Sequence, residues 1–324
     1  MTNKDQAREI FLSIAIPVYN QVATIKDTID SALEAVGGEK DVEIVVSENH
    51  SSDRTKDIVS SFGNRVKIVS PPSHLSMAAN WNFAVNSCSG RWVAMLSGDD
   101  KILPGYVRSI RRIVSRSDNA VFAYGGWNVV SADTGVVERR SVLSMPQVSR
   151  PKRSASSLIF GPKASFASYC FLRSAFRDVG GFSEQYNLLQ DWVLQFRLSL
   201  EGELVKSNCI IAEYLTGQSR DDLERRRVPL YLKDVVAFCC GDIWRACNIG
   251  VSRASVLRAC EVHAARAENL LGQFPELKDQ GENILNPLYA LIGKQRVAMN
   301  QQHFRENVFL HGRKKLRRFV QNFA

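Results

Sequence analysis

The stretch FLSIAIPVYNQVATIKDTIDSALEAVGG, residues 11–38, decides the fold. Its first part, FLSIAIPVYN, is a nearly continuous apolar run stopped by Pro17 and Asn20. Such a run reads as a strand buried on both faces, as in a parallel sheet. Ile25, Ile29, Ala32, Leu33 and Val36 then recur at helical spacing, and Gly37-Gly38 closes the pattern. A buried strand feeding an amphipathic helix is the repeating unit of an α/β protein.

The unit repeats downstream. VEIVVS (42–47), RVKIVS (65–70) and WVAML (92–96) read as further buried strands. Between them, SSDRTKDIVSSFG (51–63) opens with capping residues and ends in glycine, and SMAANWNFAVNSCSG (76–90) is a third helix. This alternation predicts a mostly parallel, Rossmann-like central sheet flanked by helices. Sheets of this kind bind ligands beyond the carboxyl ends of their strands. The loops PVYN (17–20), SENHSSD (47–53), SPPSHLS (70–76) and SGDD (97–100) are therefore expected along one edge.

Past Asp100 the pattern changes. PGYVRSIRRIVSRS (104–117) is an amphipathic helix, and AVFAYGGWNVVSA and GVVERRSVL read as strands around the turn ADTG. Residues 144–164, with three prolines, several serines and basic residues, read as a mobile loop. A strand and short helix follow over 167–182, then a helix in DWVLQFRLSLEG (191–202) and a strand in ELVKSNCIIAEYL (203–215). From residue 222 strand signals vanish. The expected organisation is thus an α/β domain over 1–221 and a helical C-terminal region over 222–324, a place for acceptor, oligomer or membrane-surface contacts.

Composition narrows the partners. The 324-residue chain has 45% hydrophobic and 23% charged residues, ordinary for a globular protein with a sizeable core. Neither a membrane-spanning run nor a signal-peptide pattern is read in it. Its seven cysteines form no CxxC pair, which suits buried thiols in a reducing cytoplasm rather than a zinc site or a disulfide framework. Five of the nine net positive charges lie in HGRKKLRRFVQNFA (311–324). The remainder is only mildly basic, which argues against nucleic acid and favours an anionic substrate or a membrane surface. On a helix, Leu316, Phe319, Val320 and Phe323 share one face and the basic residues cover the other. That pattern suits 308–324 lying on anionic lipid, and equally suits a helix packed on its own domain.

The edge loops lack the dinucleotide fingerprint GxGxxG and the P-loop GxxxxGK[ST], so any nucleotide needs another partner for its phosphates. Asp99 and Asp100 supply hard oxygen ligands suited to Mg2+ or Mn2+, and a dication would offset the repulsion between two adjacent acids. The same residues also suit a turn and a helix cap before Pro104.

The order of these pieces resembles family 2 glycosyltransferases, inverting enzymes with a GT-A fold. SIAIPVYN, VVSENHSSDRT, NWNFAVNSCSGRWVAMLSGDD, FLRSAFRDVGGFSE and LLQDWVLQFRL carry the resemblance, over roughly residues 11–215. It implies that Pro17, Tyr19 and Asn20 line the base and ribose pocket. ENHSSD resembles the family's acidic DDGSxD loop, so Glu48, Asn49 and Asp53 would contact base and ribose, with Asn49 in place of an acid. AANWNFAV resembles the segment where relatives carry an arginine for the diphosphate; here Trp81 and then Asn82 stand there, with core packing the alternative for Trp81. SGDD resembles the DxDD-like metal motif, with Ser97 in place of the leading acid, Asp99 toward ribose or metal, and Asp100 as metal ligand. LQDWVLQFRL resembles the late EDW motif, with Gln190 for the usual acid. It implies Asp191 as general base, a helix N-cap being the alternative. His74 and Arg220 are set down as surface residues that reach the right neighbourhood.

The resemblance implies a metal-dependent transferase. It would move a single sugar from a nucleoside-diphosphate sugar, UDP-sugars first, to a glycan or lipid-linked glycan acceptor in bacterial surface polysaccharide assembly. No QxxRW motif follows, which favours one transfer per binding event. The implied location is the cytoplasm, at the inner face of the plasma membrane. Two other readings stand beside it: a sugar-phosphate nucleotidyltransferase, which would want a glycine-rich basic loop after the first strand, and a non-catalytic nucleotide- or glycan-binding relative.

Overall fold

A computed structural model describes residues 9–131, 134, 136–140, 147–216 and 221–293. The chain forms two compact units. Residues through 149, with 164–182 and 202–215, make the first, and 150–163, 183–201 and the chain from 216 make the second.

The first unit is built on one sheet. Its elements in order are β1 (Leu12–Val18), α1 (Ile25–Val36), β2 (Val42–Glu48), α2 (Thr55–Ser61), β3 (Lys67–Val69), α3 (Met77–Asn86), β4 (Trp92–Met95), β5 (Lys101–Ile102), α4 (Tyr106–Val114), β6 (Ala120–Ser131), β7 (Val137–Arg140) and β8 (Val148–Ser149). β9 (Tyr169–Leu172), α6 (Arg173–Asp178) and β10 (Glu203–Thr216) complete it, after α5 (Pro151–Leu158), which belongs to the second unit. Strand order is β3-β2-β1-β4-β9-β6-β10-β5, with β7 beside β6 and β8 beside β10. The parallel arrangement read from the sequence holds for β3-β2-β1-β4. β9 pairs antiparallel with both β4 and β6, so the sheet as a whole is mixed.

Every residue of β1 is buried, Ser13 included, as its nearly continuous apolar run requires. Ile14 lies between Ile44 of β2 and Ala94 of β4. α1 covers the sheet with Ile25, Ile29, Ala32 and Ala35, all buried; each isoleucine contributes about 1.5–3 kcal/mol by burial. The β1–β4 ladder ends at Ala15↔Met95, with Leu96 N–H donating to the Ala15 carbonyl. Pro17, two residues on, faces the same side and has no N–H to continue that ladder. Beyond Pro17 the two strands are free to part, and their loops begin there.

The 144–164 segment needs correcting. Pro151 takes the first position of α5, where its missing N–H costs nothing, so 151–158 is helix rather than mobile loop.

The second unit is helical: α5, α7 (Gln190–Glu201), α8 (Asp221–Cys240), α9 (Arg253–Leu271) and α10 (Lys278–Ile292). Trp192 is fully buried, donates its indole N–H to the Leu158 carbonyl at 2.7 Å, and packs on Phe238 and His263. Among the described residues no helix is long and apolar enough to cross a membrane. The basic 308–324 segment and Arg220 lie outside the described residues.

Candidate active site

Parallel pairing of β1 with β2 and β4, in register to Val18↔Glu48 and Ala15↔Met95, brings PVYN, SENHSSD and SGDD to the strands' carboxyl ends. The PVYN and SENHSSD loops interlock. Asn20 adopts φ 53°, a left-handed conformation that asparagine tolerates. Its side-chain oxygen accepts from Ser52 N–H at 2.8 Å, and its own N–H donates to Ser51 Oγ at 3.1 Å. Asp53 accepts from the N–H groups of Thr55 (2.9 Å) and Val22 (3.3 Å), and the Thr55 side-chain hydroxyl first, then these N–H groups, hold its carboxyl below the usual range.

Glu48 and Asn49 are buried, and their polar atoms shape the loop. Glu48 accepts from Ser51 N–H at 2.7 Å and His50 N–H at 3.3 Å. His50 carries φ 59°, at the position where the DDGSxD pattern has glycine. The Asn49 amide accepts from Leu75 N–H and donates to the Leu75 carbonyl, both at 2.9 Å. An aspartate there could not donate, which is a physical reason for the asparagine. The 70–76 loop is thereby tied to β2. His74 places Nδ1 3.0 Å from the Asn49 carbonyl, and its ring centroid lies 4.5 Å from that of Tyr19. Tyr19 is 43% exposed, so this ring pair presents an open aromatic surface at the strand ends.

The SGDD loop is held by α1. Thr24 Oγ1 donates to the Gly98 carbonyl at 2.7 Å, Thr28 Oγ1 donates to the Asp100 carbonyl at 2.9 Å, and Ser31 Oγ accepts from Ile102 N–H at 3.4 Å. Thr24 stands at the N-cap of α1 and Thr28 and Ser31 lie within it, so the three hydroxyls fall about one helical turn apart along one side. Sequence reasoning passed over them; the signal was three hydroxyls at i, i+4 and i+7 beside the apolar stripe. Ser97 Oγ donates to Asp99 at 2.6 Å. Asp100 is 1% exposed; Oδ1 accepts from Leu215 N–H at 3.0 Å, and Oδ2 is buried without a partner among the described residues. Burial first, and then the Asp99 charge, raise its carboxyl well above the usual range.

That donor set fits a hard divalent cation. Asp100 Oδ2 is an orphaned buried oxygen whose ionisation a dication would restore, and Asp99 adds a second carboxylate. Among the described residues no three His, Cys, Asp or Glu side chains come together. Asp100 and Asp99 are the two carboxylates that would hold such an ion.

Asn82 and Trp81 face another task. The Asn82 amide donates to the Phe182 carbonyl at 2.8 Å and accepts from Phe182 N–H at 2.9 Å, and Trp81 packs on Phe166 and Phe182. Phe182 is buried, so Asn82→Ala strands both groups; the expected cost is about 1–3 kcal/mol. A thermal melt checks this. A lost ligand contact would instead leave the melt unchanged and weaken nucleotide binding.

Asp191 belongs to the second unit. It is the second residue of α7, partly buried, and accepts from Trp192 N–H at 2.6 Å. Burial raises its carboxyl to about 7, with the Trp192 hydrogen bond opposing. A carboxylate so tuned can hold or release a proton at neutral pH. His263, by contrast, is buried against Trp192, and its pKa is lowered to about 3, so it stays neutral. A cavity of about 900 Å³ lined by Glu34, Glu39, Lys40, Asp41, Arg108 and Arg111 opens at the other end of α1 from SGDD. There Arg111 already pairs with Glu39 and Asp41.

Succinoglycan biosynthesis protein ExoO of Rhizobium meliloti (strain 1021) is 27% identical over 161 residues, 48% of this chain and 45% of that protein. An uncharacterized glycosyltransferase, RP339, of Rickettsia prowazekii (strain Madrid E) is 25% identical over 66% of this chain and 68% of its own. The chain spans 45% of ExoO and 33% of a Rickettsia felis glycosyltransferase, well under the full length of either relative. In fold, it is similar to S. aureus TarS 1-349 in complex with UDP-GlcNAc (TM-score 0.58, 12% identity, 92% of each chain). It is likewise similar to the mannosyltransferase PcManGT from Pyrobaculum calidifontis in complex with GDP-Man and Mn2+ (TM-score 0.59, 14% identity, 97% of this chain and 84% of that one). These likenesses identify the mixed sheet and its flanking helices as a GT-A glycosyltransferase fold. The family model for glycosyl transferase family 2 matches residues 13–180, from the first strand through the Asp99-Asp100 loop to the end of α6, and the chain belongs to that family.

Proposed function

We propose that the chain is an inverting, metal-dependent glycosyltransferase that moves one sugar from a nucleoside-diphosphate sugar to an acceptor hydroxyl in bacterial surface polysaccharide assembly. The observation that carries the reading is the unpartnered, buried Oδ2 of Asp100 at the carboxyl end of β4, beside Asp99 and held in place by the hydroxyls of α1. Pro17, Tyr19, Asn20, Glu48, Asn49 and Asp53 shape the base and ribose end, with the Tyr19–His74 pair as the stacking surface. Asp100 and Asp99 would hold Mg2+ or Mn2+, and Ser97 steadies Asp99. A bound dication supplies charge to stabilise the leaving diphosphate.

Asp191 is the base in this reading. It takes the proton of the acceptor hydroxyl as that oxygen bonds to the anomeric carbon, and the bond to the diphosphate breaks on the opposite face. The configuration inverts in one displacement. A group near pKa 7 accepts a proton most effectively close to neutrality. Donors follow from relatives of the same fold: TarS in complex with UDP-GlcNAc and PcManGT with GDP-Man and Mn2+ support a nucleotide-sugar, and ExoO supports a glycan acceptor. Peripheral attachment through 308–324 at the cytoplasmic face belongs to the same proposal, for a lipid-linked acceptor.

Family membership favours sugar transfer over nucleotidyl transfer. A non-catalytic relative is the second reading, motivated by Asn49, Trp81, Ser97 and Gln190 in place of the family's usual residues. A donor screen separates the two. UDP- and GDP-sugars are tested for nucleoside-diphosphate release with Mg2+, Mn2+ or EDTA, alongside metal-dependent binding of UDP and GDP. Release that needs metal supports the transferase. Absence of both release and metal-dependent nucleotide binding overturns it in favour of the non-catalytic reading.

A further inference from the structure

Asp234 on α8 is 1% exposed and matched by no motif. Its carboxylate accepts from Asn187 N–H (2.8 and 3.0 Å), Leu188 N–H (2.6 Å) and Leu189 N–H (3.1 Å), and from the Asn187 side-chain amide (2.9 Å). Three consecutive N–H groups on one anion form a concave backbone nest. The nest ends where α7 begins: Val193 N–H donates to the Leu189 carbonyl at 2.8 Å, and Asp191 is two residues beyond Leu189. A second carboxylate braces the same segment. Asp242 accepts from Tyr186 Oη at 2.8 Å and takes the Arg197 guanidinium in two bonds of 2.9 and 2.8 Å. Residues 186–197 are thus clamped before and after Asp191, whose carboxylate accepts from Trp192 N–H at the start of α7.

We propose that Asp234 is a positioning residue for Asp191: by holding the N–H groups of residues 187–189 it sets where α7 starts and where the Asp191 carboxylate points. The inference rests on the reading of Asp191 as the base. A buried carboxylate is a costly way to close a turn unless its partners need an exact place. Displacing a catalytic group by about 1 Å can cost 10²-fold in rate, so geometry here is worth such a cost.

The test is a pH titration of the Asp191 carboxyl carbon by NMR in the full chain labelled at aspartate Cγ, the signal being assigned by its loss in Asp191→Asn. Amide exchange of residues 187–189 is read in parallel. In Asp234→Asn, an amide offers one acceptor to groups that had two oxygens. The Asp191 midpoint should fall by a unit or more from about 7, and the three amides should exchange at least tenfold faster. Asn187→Ala removes one bond only and should shift both readings the same way by less; it decides the matter if Asp234→Asn does not fold. A merely structural Asp234 lowers the melting temperature and leaves the Asp191 midpoint where it was. An unchanged midpoint in the folded variants overturns the proposal. That outcome is distinct from failure of the base reading, which appears as turnover surviving Asp191→Asn.

Discussion

Asp191→Asn is expected to lower turnover by roughly 10²- to 10⁴-fold, the range that general-base catalysis supplies, while donor binding stays near the wild-type value. Asparagine is nearly isosteric, and its side-chain oxygen can still accept from Trp192 N–H, so α7 should keep its start. What is lost is the capacity to take a proton. The pH profile gives the sharper form. A base must be ionised, and burial raises the Asp191 carboxyl to about 7. The wild-type rate should therefore climb about tenfold per pH unit below 7 and level off above it, a limb set by one ionisation. In Asp191→Asn the limb should vanish and leave a flat residual rate. Steady-state release of nucleoside diphosphate between pH 5 and 9 reads both effects. A limb that survives in the variant would move the base to another residue.

Asp100→Asn should separate function from stability. The folded chain raises the Asp100 carboxyl well above its ordinary value, chiefly by burial. A group raised in this way contributes stability that is full below the ordinary carboxylate range and is lost as pH climbs through the raised value. Asparagine removes the charge that burial penalises and keeps the oxygen that accepts from Leu215 N–H. In EDTA at neutral pH the variant should melt no lower than wild type. Metal should tell the opposite story. Mn2+ at 100 times its dissociation constant stabilises a specific site by about 2.7 kcal/mol, and this rise should appear in wild type and be absent in the variant. Metal-dependent turnover should fall by about 10³-fold, the scale of losing one electrostatic contact to developing charge. A variant that melts well below wild type in EDTA would mean that the Asp100 charge serves the fold instead.

Much of this was legible in residue order alone. The apolar run at 12–18 and the helical spacing at 25–36 dictate a buried strand and its covering helix, because a strand paired on both edges and covered on both faces tolerates few polar groups. Repetition of that unit predicted the parallel strands β3-β2-β1-β4, and with them the edge where PVYN, SENHSSD and SGDD meet. The antiparallel half was not legible: β9 and β6 are apolar runs like the others, and a short run carries no mark of its direction. Nor was α5 read, since three prolines in 144–164 suggested loop when one of them merely starts a helix.

The site divides in the same way. Residue type and order determined the candidates: two acids after a buried strand, an exposed tyrosine in PVYN, and an aspartate at the head of α7. Their states came only from tertiary structure. Whether Asn82 serves a ligand or the Phe182 backbone, and whether Asn49 faces nucleotide or clamps Leu75, is set by partners 100 and 26 residues away in the chain. The Asp100 and Asp191 proton affinities depend on how much water the fold removes around each carboxylate. Local sequence determines which groups a chain can offer, since backbone propensity and periodicity act over a few residues; burial and hydrogen bonding act through space, so only the folded chain decides which groups stay paired and which are left to react.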